Sequence, residues 1–328
     1  MQGGENGCVP AISTLLIMPK TSLYRIRNWR EYNEALAARG DVTLWISDDA
    51  KQGWLYRGSQ QQGHPIVFGD TAIETALTVR SVFHLPLRQT ERFLQSIFQL
   101  MQVALPVPDY TTVSKRASGL LVDLPVRGGD GPIHIVIDSS GMKIHGEGEW
   151  KVKIHGKGKR RTWRKCHIAV DPDTSEIKAE VLTAAHADDA EQVESLLSQM
   201  DEELEVGAMD GAYDQHSIHA LFAGRGAKAL VPPSKDAKIR KHGNSPGPPL
   251  PRDEILRAMR RTTRSRWKRE SGYHMRSLVE NTFFRTKTIF GSSLRSRRLG
   301  NQKTESRIRC RALNMMTHLG MPESVKIS

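Results

Sequence analysis

The spacing of hydrophobic positions predicts that the chain begins with a small module over residues 20–65. Residues 28–40, "NWREYNEALAARG", have helical periodicity, with Asn28 placed to cap the helix and Gly40 to end it. Residues 41–46, "DVTLWI", alternate apolar and polar side chains as a half-buried strand does. Residues 1–19 are predicted to be an unstructured leader that lies outside this module.

Three helices are predicted between Asp70 and about Leu121. The first ends before Pro86, the second ends at a Pro-x-Pro sequence, and Asp109 is placed to cap the third. Three short helices fit a helix-turn-helix reader of DNA, and they equally fit a plain helical bundle that supports the next domain. The sequence leaves both interpretations open.

From Gly131 the pattern changes to short β-branched runs that alternate with helical segments. The predicted strands are residues 132–138, 162–171, 175–184, 204–210 and 227–232, and the helices among them are residues 188–200 and 215–226. Near-repeats at 143–150 and 153–160 predict the two arms of a β-hairpin. The pattern predicts an α/β domain over residues 131–320, with a mixed sheet flanked by helices. A Pro-, Gly- and Lys-rich segment at 232–251 is predicted to be a mobile loop within that domain.

One polar stripe stands out on the helices predicted after about residue 253. Its members are Tyr273, Arg276, Glu280 and Lys287, which fall within roughly 60° of one another on a helical wheel. Apolar residues such as Val279 occupy the opposite side. Taken alone, the stripe fits a solvated face in which Arg276 and Glu280 form an i,i+4 ion pair.

The composition changes that interpretation, because the chain is strongly basic where the stripe lies. The net charge is +12. From Lys235 to Arg311 there are 22 Lys and Arg against 6 Asp and Glu, interleaved with aromatic residues. Such a segment is typical of a groove that follows a phosphate backbone, so a polyanionic partner is expected. A solvated run of charge is the alternative.

Other site classes find little support. The three cysteines, Cys8, Cys166 and Cys310, are far apart and predict neither a disulfide framework nor a zinc site, which favours a reducing compartment. The glycines near residue 157 lack the Gly-Lys-Ser/Thr spacing of a phosphate-binding loop. No apolar run is long enough to span a membrane, and the first seventeen residues do not resemble a secretory signal.

Three acids are the candidate catalytic residues. Asp138 closes the apolar run "HIVID", Asp210 closes "VGAMD", and Glu280 lies alone in the basic helix. An acid at a strand end often caps a turn, but two such acids together with Glu280 favour chemistry. Phosphodiester hydrolysis needs charge stabilised on both the attacking and the leaving oxygen, which two divalent ions about 3.5–4 Å apart can do. Mg²⁺ prefers oxygen ligands, so two or three carboxylates from separate elements suffice.

These residues also resemble a known family. The spacing of Tyr273, Arg276, Glu280 and Lys287 matches the Y-(2)-R-(3)-E-(6)-K signature of bacterial insertion-sequence transposases of the DDE class. Residues 136–171 and "AMDGAYD" resemble the first and second catalytic-acid regions of the fifth insertion-sequence family, and residues 28–46 resemble its N-terminal region. The resemblance runs from about Pro19 to Leu319.

The resemblance implies a ribonuclease H-like fold with two Mg²⁺ ions, for which Mn²⁺ can substitute, on Asp138, Asp210 and Glu280. It implies cleavage at terminal inverted repeats and joining of the 3′ ends to double-stranded target DNA, with residues 20–125 as the mainly helical region that binds the repeats. It further implies a homo-oligomer, at least a dimer on DNA, in the bacterial cytoplasm with the nucleoid and away from membranes. The DNA-contacting residues that it implies are Tyr273, Arg276 and Lys287. To these we add four basic or aromatic residues of the hairpin, Arg160, Arg161, Trp163 and Arg164.

Two alternatives share the basic surface. A ribonuclease H-like nuclease would keep the acids without needing an end-specific N-terminal region. A transposase-derived DNA-binding regulator without catalysis would usually have lost an acid, whereas this chain has all three.

Overall fold

The structure of the protein is a computed structural model that describes residues 23–46, 51–59, 63, 65–129, 131–144, 163–242, 244 and 246–327. The predicted leader lies outside the described residues, and so do the two glycine-rich near-repeats apart from Lys143 and Ile144, so their hairpin stays a prediction. The strands on either side of this segment pair antiparallel, with Lys143 beside Trp163.

The strands and helices alternate after residue 131, as the sequence predicts. The strands are β1 (Leu23–Ile26), β2 (Ile133–Ile144), β3 (Trp163–Val170), β4 (Ile177–Ala184), β5 (Leu204–Ala208), β6 (Lys228–Leu230), β7 (Ser293–Leu294) and β8 (Ser324–Ile327). The α-helices with described bounds are α1 (Trp29–Ala38), α2 (Val42–Trp45), α3 (Asp70–Val82), α4 (Leu87–Leu100), α5 (Tyr110–Arg116), α6 (Val193–Leu197), α7 (His216–Gly224), α8 (Pro251–Arg261), α9 (Arg264–Glu270), α10 (Ser277–Phe290) and α11 (Leu299–Leu319).

The central sheet is mixed, which confirms the α/β prediction. Its strands lie in the order β4-β3-β2-β5-β6, and β7 pairs with the far end of β2. β2 is antiparallel to β3 and parallel to both β5 and β7, while β3 and β4 are antiparallel and β5 and β6 are parallel. β2 is therefore the central strand, which pairs with β3, β5 and β7.

Helices cover both faces of this sheet. Successive side chains of a strand point to opposite faces, so neighbouring residues of β2 belong to different cores. Ile135 and Ile137 of β2 are fully buried in one cluster, with apolar residues of α6 and α7. Val136 is fully buried in the other cluster, with residues of α3, α10 and α11. Asp138, which has the parity of Val136, therefore belongs to the face that α10 covers.

The N-terminal helices share the second of these cores. Apolar residues of α3, α4 and α5 belong to the same buried cluster as Ile308 and Leu313 of α11. The Thr304 hydroxyl of α11 donates a hydrogen bond of 2.6 Å to the carbonyl of Ala117, which follows α5. Asp109 caps α5 as predicted, because its carboxylate accepts from the backbone amides of Thr111 and Thr112. These helices thus pack on the sheet domain, whereas their predicted DNA reading and the division at residues 125–131 stay predictions.

Two predicted elements differ from the structure. Residues 42–45 form the short helix α2 rather than a strand, and Trp45 and the residue that follows the helix, Ile46, are both buried in the same core. Asp138 does not close its strand, since β2 continues to Ile144 by pairing with β3 beyond the apolar run.

A two-stranded ribbon of β1 and β8 was not predicted. The strands pair antiparallel from Leu23 beside Ile327 to Ile26 beside Ser324. Asn28 is the residue before α1, but its side chain does not cap that helix. Instead, its side-chain amide donates a hydrogen bond to the carbonyl of Met321 and accepts one from the backbone amide of Glu323. These bonds tie the start of α1 to the segment before β8. Within the described part of the chain, no helix is both long and apolar enough to cross a membrane.

Candidate active site

Asp138 and Asp210 occupy the same row of two neighbouring parallel strands. Val136 of β2 lies beside Ala208 of β5, and each aspartate follows its strand partner by two residues. The Asp210 backbone is still extended, and its carboxylate accepts a 2.7 Å bond from the amide of Ala212 in the turn that follows. The parallel register therefore holds both carboxylates at one edge of the sheet.

Glu280 reaches this edge from α10. The helix packs against β2 and β3 through its buried side, which includes Val279 and Thr282. The predicted continuous helix over residues 273–287 is in fact a 3₁₀ turn, Tyr273–Arg276, followed by α10. The turn begins after Gly272, whose φ of 71° is a left-handed conformation that favours glycine.

Arg276 lies between two of the three acids. Its guanidinium donates a 2.9 Å hydrogen bond to Glu280 and lies 3.9 Å from the Asp138 carboxylate. The Asp138 side chain is 18% exposed and that of Glu280 is 60% exposed, so the bridge joins an inner acid to an outer one. The predicted i,i+4 pair is present, and the contact with Asp138 is an addition that helical spacing does not reveal.

The environment of Asp138 opposes the negative charge of its carboxylate. Burial raises the pKa of its carboxyl group above the ordinary value, and the neighbouring carboxylates of Asp210 and Glu280 act in the same direction. The amide of Ser139 and the Arg276 guanidinium lower the Asp138 pKa in part. Like charges that converge in a half-buried place favour a cation among them.

A cavity of about 500 Å³ opens beside these acids. Its lining residues are Asp210, Gly211, Pro232, Pro233, Ser234, Arg264, Lys268, Tyr273, His274, Arg276, Ser277 and Glu280. Two carboxylates, those of Asp210 and Glu280, thus share the wall with the cationic side chains of Arg264, Lys268 and Arg276. Such a cavity suits a phosphodiester that needs both metal-binding acids and charge-neutralising bases.

The other members of the polar stripe take different positions. Lys287 donates a 2.6 Å hydrogen bond to the hydroxyl of Ser140, two residues beyond Asp138 on β2. Tyr273 lines the cavity but is only 9% exposed, with its ring against Trp267 at 6.1 Å between centroids. Their contact with DNA stays a prediction.

The hairpin residues lie farther from the acids. Arg160 and Arg161 are outside the described residues. Trp163 and Arg164 begin β3, and because Ile168 is the strand partner of Asp138, they are displaced from it by about 13–17 Å along the strand. Arg164 donates a 2.9 Å hydrogen bond to the buried Gln302 of α11. DNA binding by this pair would therefore occur away from the acids, and it too stays a prediction.

The donor set fits a hard divalent cation, since all three candidate ligands are carboxylates. Within the described residues, however, no three acidic, histidine or cysteine side chains are already gathered as a metal site. Two of the candidate carboxylates share Arg276 instead. The residues therefore fit the metal by the chemistry of their donors, and Arg276 occupies the place between two of them.

One supporting contact was missed by the sequence reasoning. Asp214, four residues beyond Asp210, receives two hydrogen bonds of 2.6 Å from the guanidinium of Arg252 on α8. Its carboxylate also accepts from the Ser234 amide at 3.2 Å. The second acid of "AMDGAYD" was visible in the sequence, but its partner is 38 residues away and no local signal identifies it.

Comparison with a solved structure gives a distant likeness. The piggyBac transposase, determined by cryo-electron microscopy in a synaptic complex with hairpin DNA, is 9% identical to this chain. The match covers 87% of this chain and 75% of that one, with a TM-score of 0.38. A TM-score of this size does not establish a shared fold.

Comparison with protein families is decisive for the class. Residues 37–147 match one model of the transposase DDE domain, and residues 129–315 match a second model with the same description. The second match includes all three acids and spans more than half of the chain. The protein therefore belongs to the DDE transposase domain family.

Proposed function

We propose that this protein is an insertion-sequence transposase of the fifth family, which cuts DNA at the terminal inverted repeats of its element and joins the ends to target DNA. The observation that carries the proposal is the bridge of Arg276 between Asp138 and Glu280, beside the row that Asp138 shares with Asp210. Two acids from separate elements thus share one cation, and the third, Asp210, lines the same basic cavity as that cation.

A ribonuclease H-like core is part of this proposal. The mixed sheet, with antiparallel strands on one side of β2 and parallel strands on the other, supports it. Asp138 lies on the central strand, and Asp210 follows the parallel strand beside it. This placement is compatible with the arrangement that the signature implies.

Asp138, Asp210 and Glu280 are the residues that would hold two Mg²⁺ ions, with Mn²⁺ as a substitute. Bound there, the ions would stabilise charge on the attacking and leaving oxygens of a phosphodiester. Both the half-buried Asp138 and the exposed Glu280 now contact Arg276. With metal ions on these carboxylates, the Arg276 guanidinium would be available to bind a DNA phosphate.

Lys287 would act from the same face of α10 as Glu280, about two turns further along the helix. Its bond to Ser140 fixes the ammonium group near the central strand, where it would neutralise a phosphate beside the scissile one. Tyr273, Trp163, Arg164 and the undescribed Arg160 and Arg161 complete the proposed DNA-contacting set.

The remaining features of the proposal concern the whole assembly. Residues 20–125 would bind the inverted repeats, and the protein would act as a homo-oligomer, at least a dimer, on double-stranded DNA. Its place would be the bacterial cytoplasm, with the nucleoid. The net charge of +12 supports a DNA partner.

The test is incubation of the full chain with Mg²⁺ and a linear duplex that carries the inverted repeats flanking the gene. Strand transfer into a target plasmid, with free 3′-hydroxyls exposed at the element ends, is the expected result. Hydrolysis without joining would favour a nuclease instead, and binding without any breakage in Mg²⁺ or Mn²⁺ would favour a non-catalytic regulator. Either outcome would contradict the proposal.

A further inference from the structure

Two cations of α9 face the same cavity as the acids. Arg264 and Lys268 both line it, together with Asp210 and Glu280. They are four residues apart on one helix and therefore project from the same face. Neither belongs to the signature of the polar stripe.

These two cations have no acidic partner among the described residues. Arg264 donates to the carbonyl of Pro233, and no ion pair or hydrogen bond of the Lys268 ammonium group occurs within the described structure. On the other side of the same helix, Arg266 is neutralised by Glu270 at 2.6 Å. Like charges at i,i+4 destabilise a helix by a few tenths of a kcal/mol, so a helix that leaves this pair unneutralised is suited to an external anion.

The Lys268 side chain is also held in place. Its ammonium group lies 5.0 Å from the centre of the Tyr273 ring, and that ring packs on Trp267 of the same helix. Both rings are largely buried, with 9% and 8% of their surfaces exposed. A lysine supported by an aromatic face has less freedom to lose when it binds a ligand.

We propose that Arg264 and Lys268 form a phosphate-binding site for the DNA strand next to the phosphodiester on which the acids act. The inference rests on the proposed function, because it takes the strand at Asp210 and Glu280 as its starting point. A strand that places one phosphate at the acids must carry its neighbouring phosphates along the cavity wall. The α9 face supplies positive charge on that wall without a competing carboxylate of its own.

Tyr273 then acts through Lys268 as a positioning residue. Its buried ring lies under the Lys268 ammonium group while contributing little exposed surface of its own. This positioning role agrees with the burial of Tyr273, which is the first residue of the signature.

The test measures how the affinity for DNA depends on salt. The full chain is titrated, in EDTA, with a fluorescein-labelled linear duplex of arbitrary sequence at several KCl concentrations. Lys268→Met keeps an apolar stem on the Tyr273 ring and removes the charge, so the slope of log K against log salt should fall by about 0.9. Lys268→Arg should restore the wild-type slope.

Arg266→Met is the matched control, since it removes one charge from the same helix at a position already paired with Glu270. Its slope should stay close to that of the wild type. A wild-type slope for Lys268→Met, or an equal fall for both variants, would overturn the phosphate site. Thermal melting of each variant checks that the fold is kept.

The two proposals fail in different ways. Binding in EDTA requires no chemistry, so a reduced slope for Lys268→Met in a protein that never breaks DNA with Mg²⁺ or Mn²⁺ would sink the proposed function alone. Strand transfer by the wild type, combined with an unchanged slope for Lys268→Met, would sink the phosphate site alone.

Discussion

Replacing Arg276 by alanine should tighten the binding of divalent cations to the DNA-free protein while it impairs strand transfer. The guanidinium now neutralises Asp138 and Glu280, and a metal ion must displace it to use both carboxylates. Without Arg276 the converging carboxylates repel one another with no internal cation. Metal affinity and activity should therefore change in opposite directions, which simple loss of structure would not produce.

The size of the effect follows from the two contacts. The pair with the exposed Glu280 contributes about 0.3–0.5 kcal/mol, as exposed i,i+4 pairs do. The contact with Asp138 is longer, at 3.9 Å, but half-buried. Its Coulomb energy of about 4 kcal/mol at an effective dielectric constant of 20 is reduced to roughly 1 kcal/mol by desolvation and screening. Together they oppose metal binding by an amount equivalent to roughly a tenfold change in affinity.

The assay is isothermal titration of Mn²⁺ into the DNA-free wild type and Arg276→Ala, with strand-transfer rates taken separately at saturating protein. Arg266→Ala is the control, because it breaks an Arg–Glu pair of the same i,i+4 spacing that has no contact with Asp138. Equal Mn²⁺ affinities for wild type and Arg276→Ala would refute the idea that this arginine occupies the place of the metal.

Three further results are expected. Alanine in place of Asp138, Asp210 or Glu280 should abolish cleavage and strand transfer with DNA binding nearly intact, because in the proposed function the acids hold metals and the bases hold DNA. Wild-type-like cleavage by any one variant would remove that residue from the site. Burial raises the pKa of Glu180 to about 7, against 4.5 ordinarily, so its stabilising effect is complete below pH 4.5 and is lost as the pH rises through 7. Glu180→Gln should abolish this loss, on the order of 2–3 kcal/mol, in denaturation curves at pH 5 and pH 8, and parallel pH dependence in both proteins would contradict it. Gly207→Ala should destabilise the fold by about 1–3 kcal/mol in urea unfolding, because its Cβ would overlap the aromatic ring packed over β5; an unchanged midpoint would show that this ring can move aside.

The elements with strong local signals could be predicted from the sequence. Short β-branched runs predict the α/β alternation after residue 131, and the glycine directly after Asp210 predicts the turn there. The pairing of Arg276 with Glu280 follows from helical spacing alone. These are all interactions between residues that are close in the sequence.

What could not be predicted depends on distant partners. β2 extends past Asp138 only because β3 lies beside it, and residues 139–144 have no apolar run that signals a strand. The segment 42–45 is too short for alternation to distinguish strand from helix, and its burial against α3 decides the outcome. The contact of Arg276 with Asp138 joins residues more than a hundred positions apart, so only the folded sheet reveals it.

The Arg252–Asp214 contact has a consequence for how the chain tolerates added length. The segment from residue 231 to residue 276 leaves the sheet after β6 and returns at the start of α10, so both of its ends lie at the cavity. The Ser234 amide near its beginning and Arg252 near its middle anchor it to Asp214, and the stretch between these anchors includes an exposed turn at Gly247. Extra residues at that turn would extend away from the anchors without displacing Asp210 or Glu280. We therefore expect that a sensor or targeting module inserted there would leave the arrangement of Asp210 and Glu280 in the candidate active site unchanged.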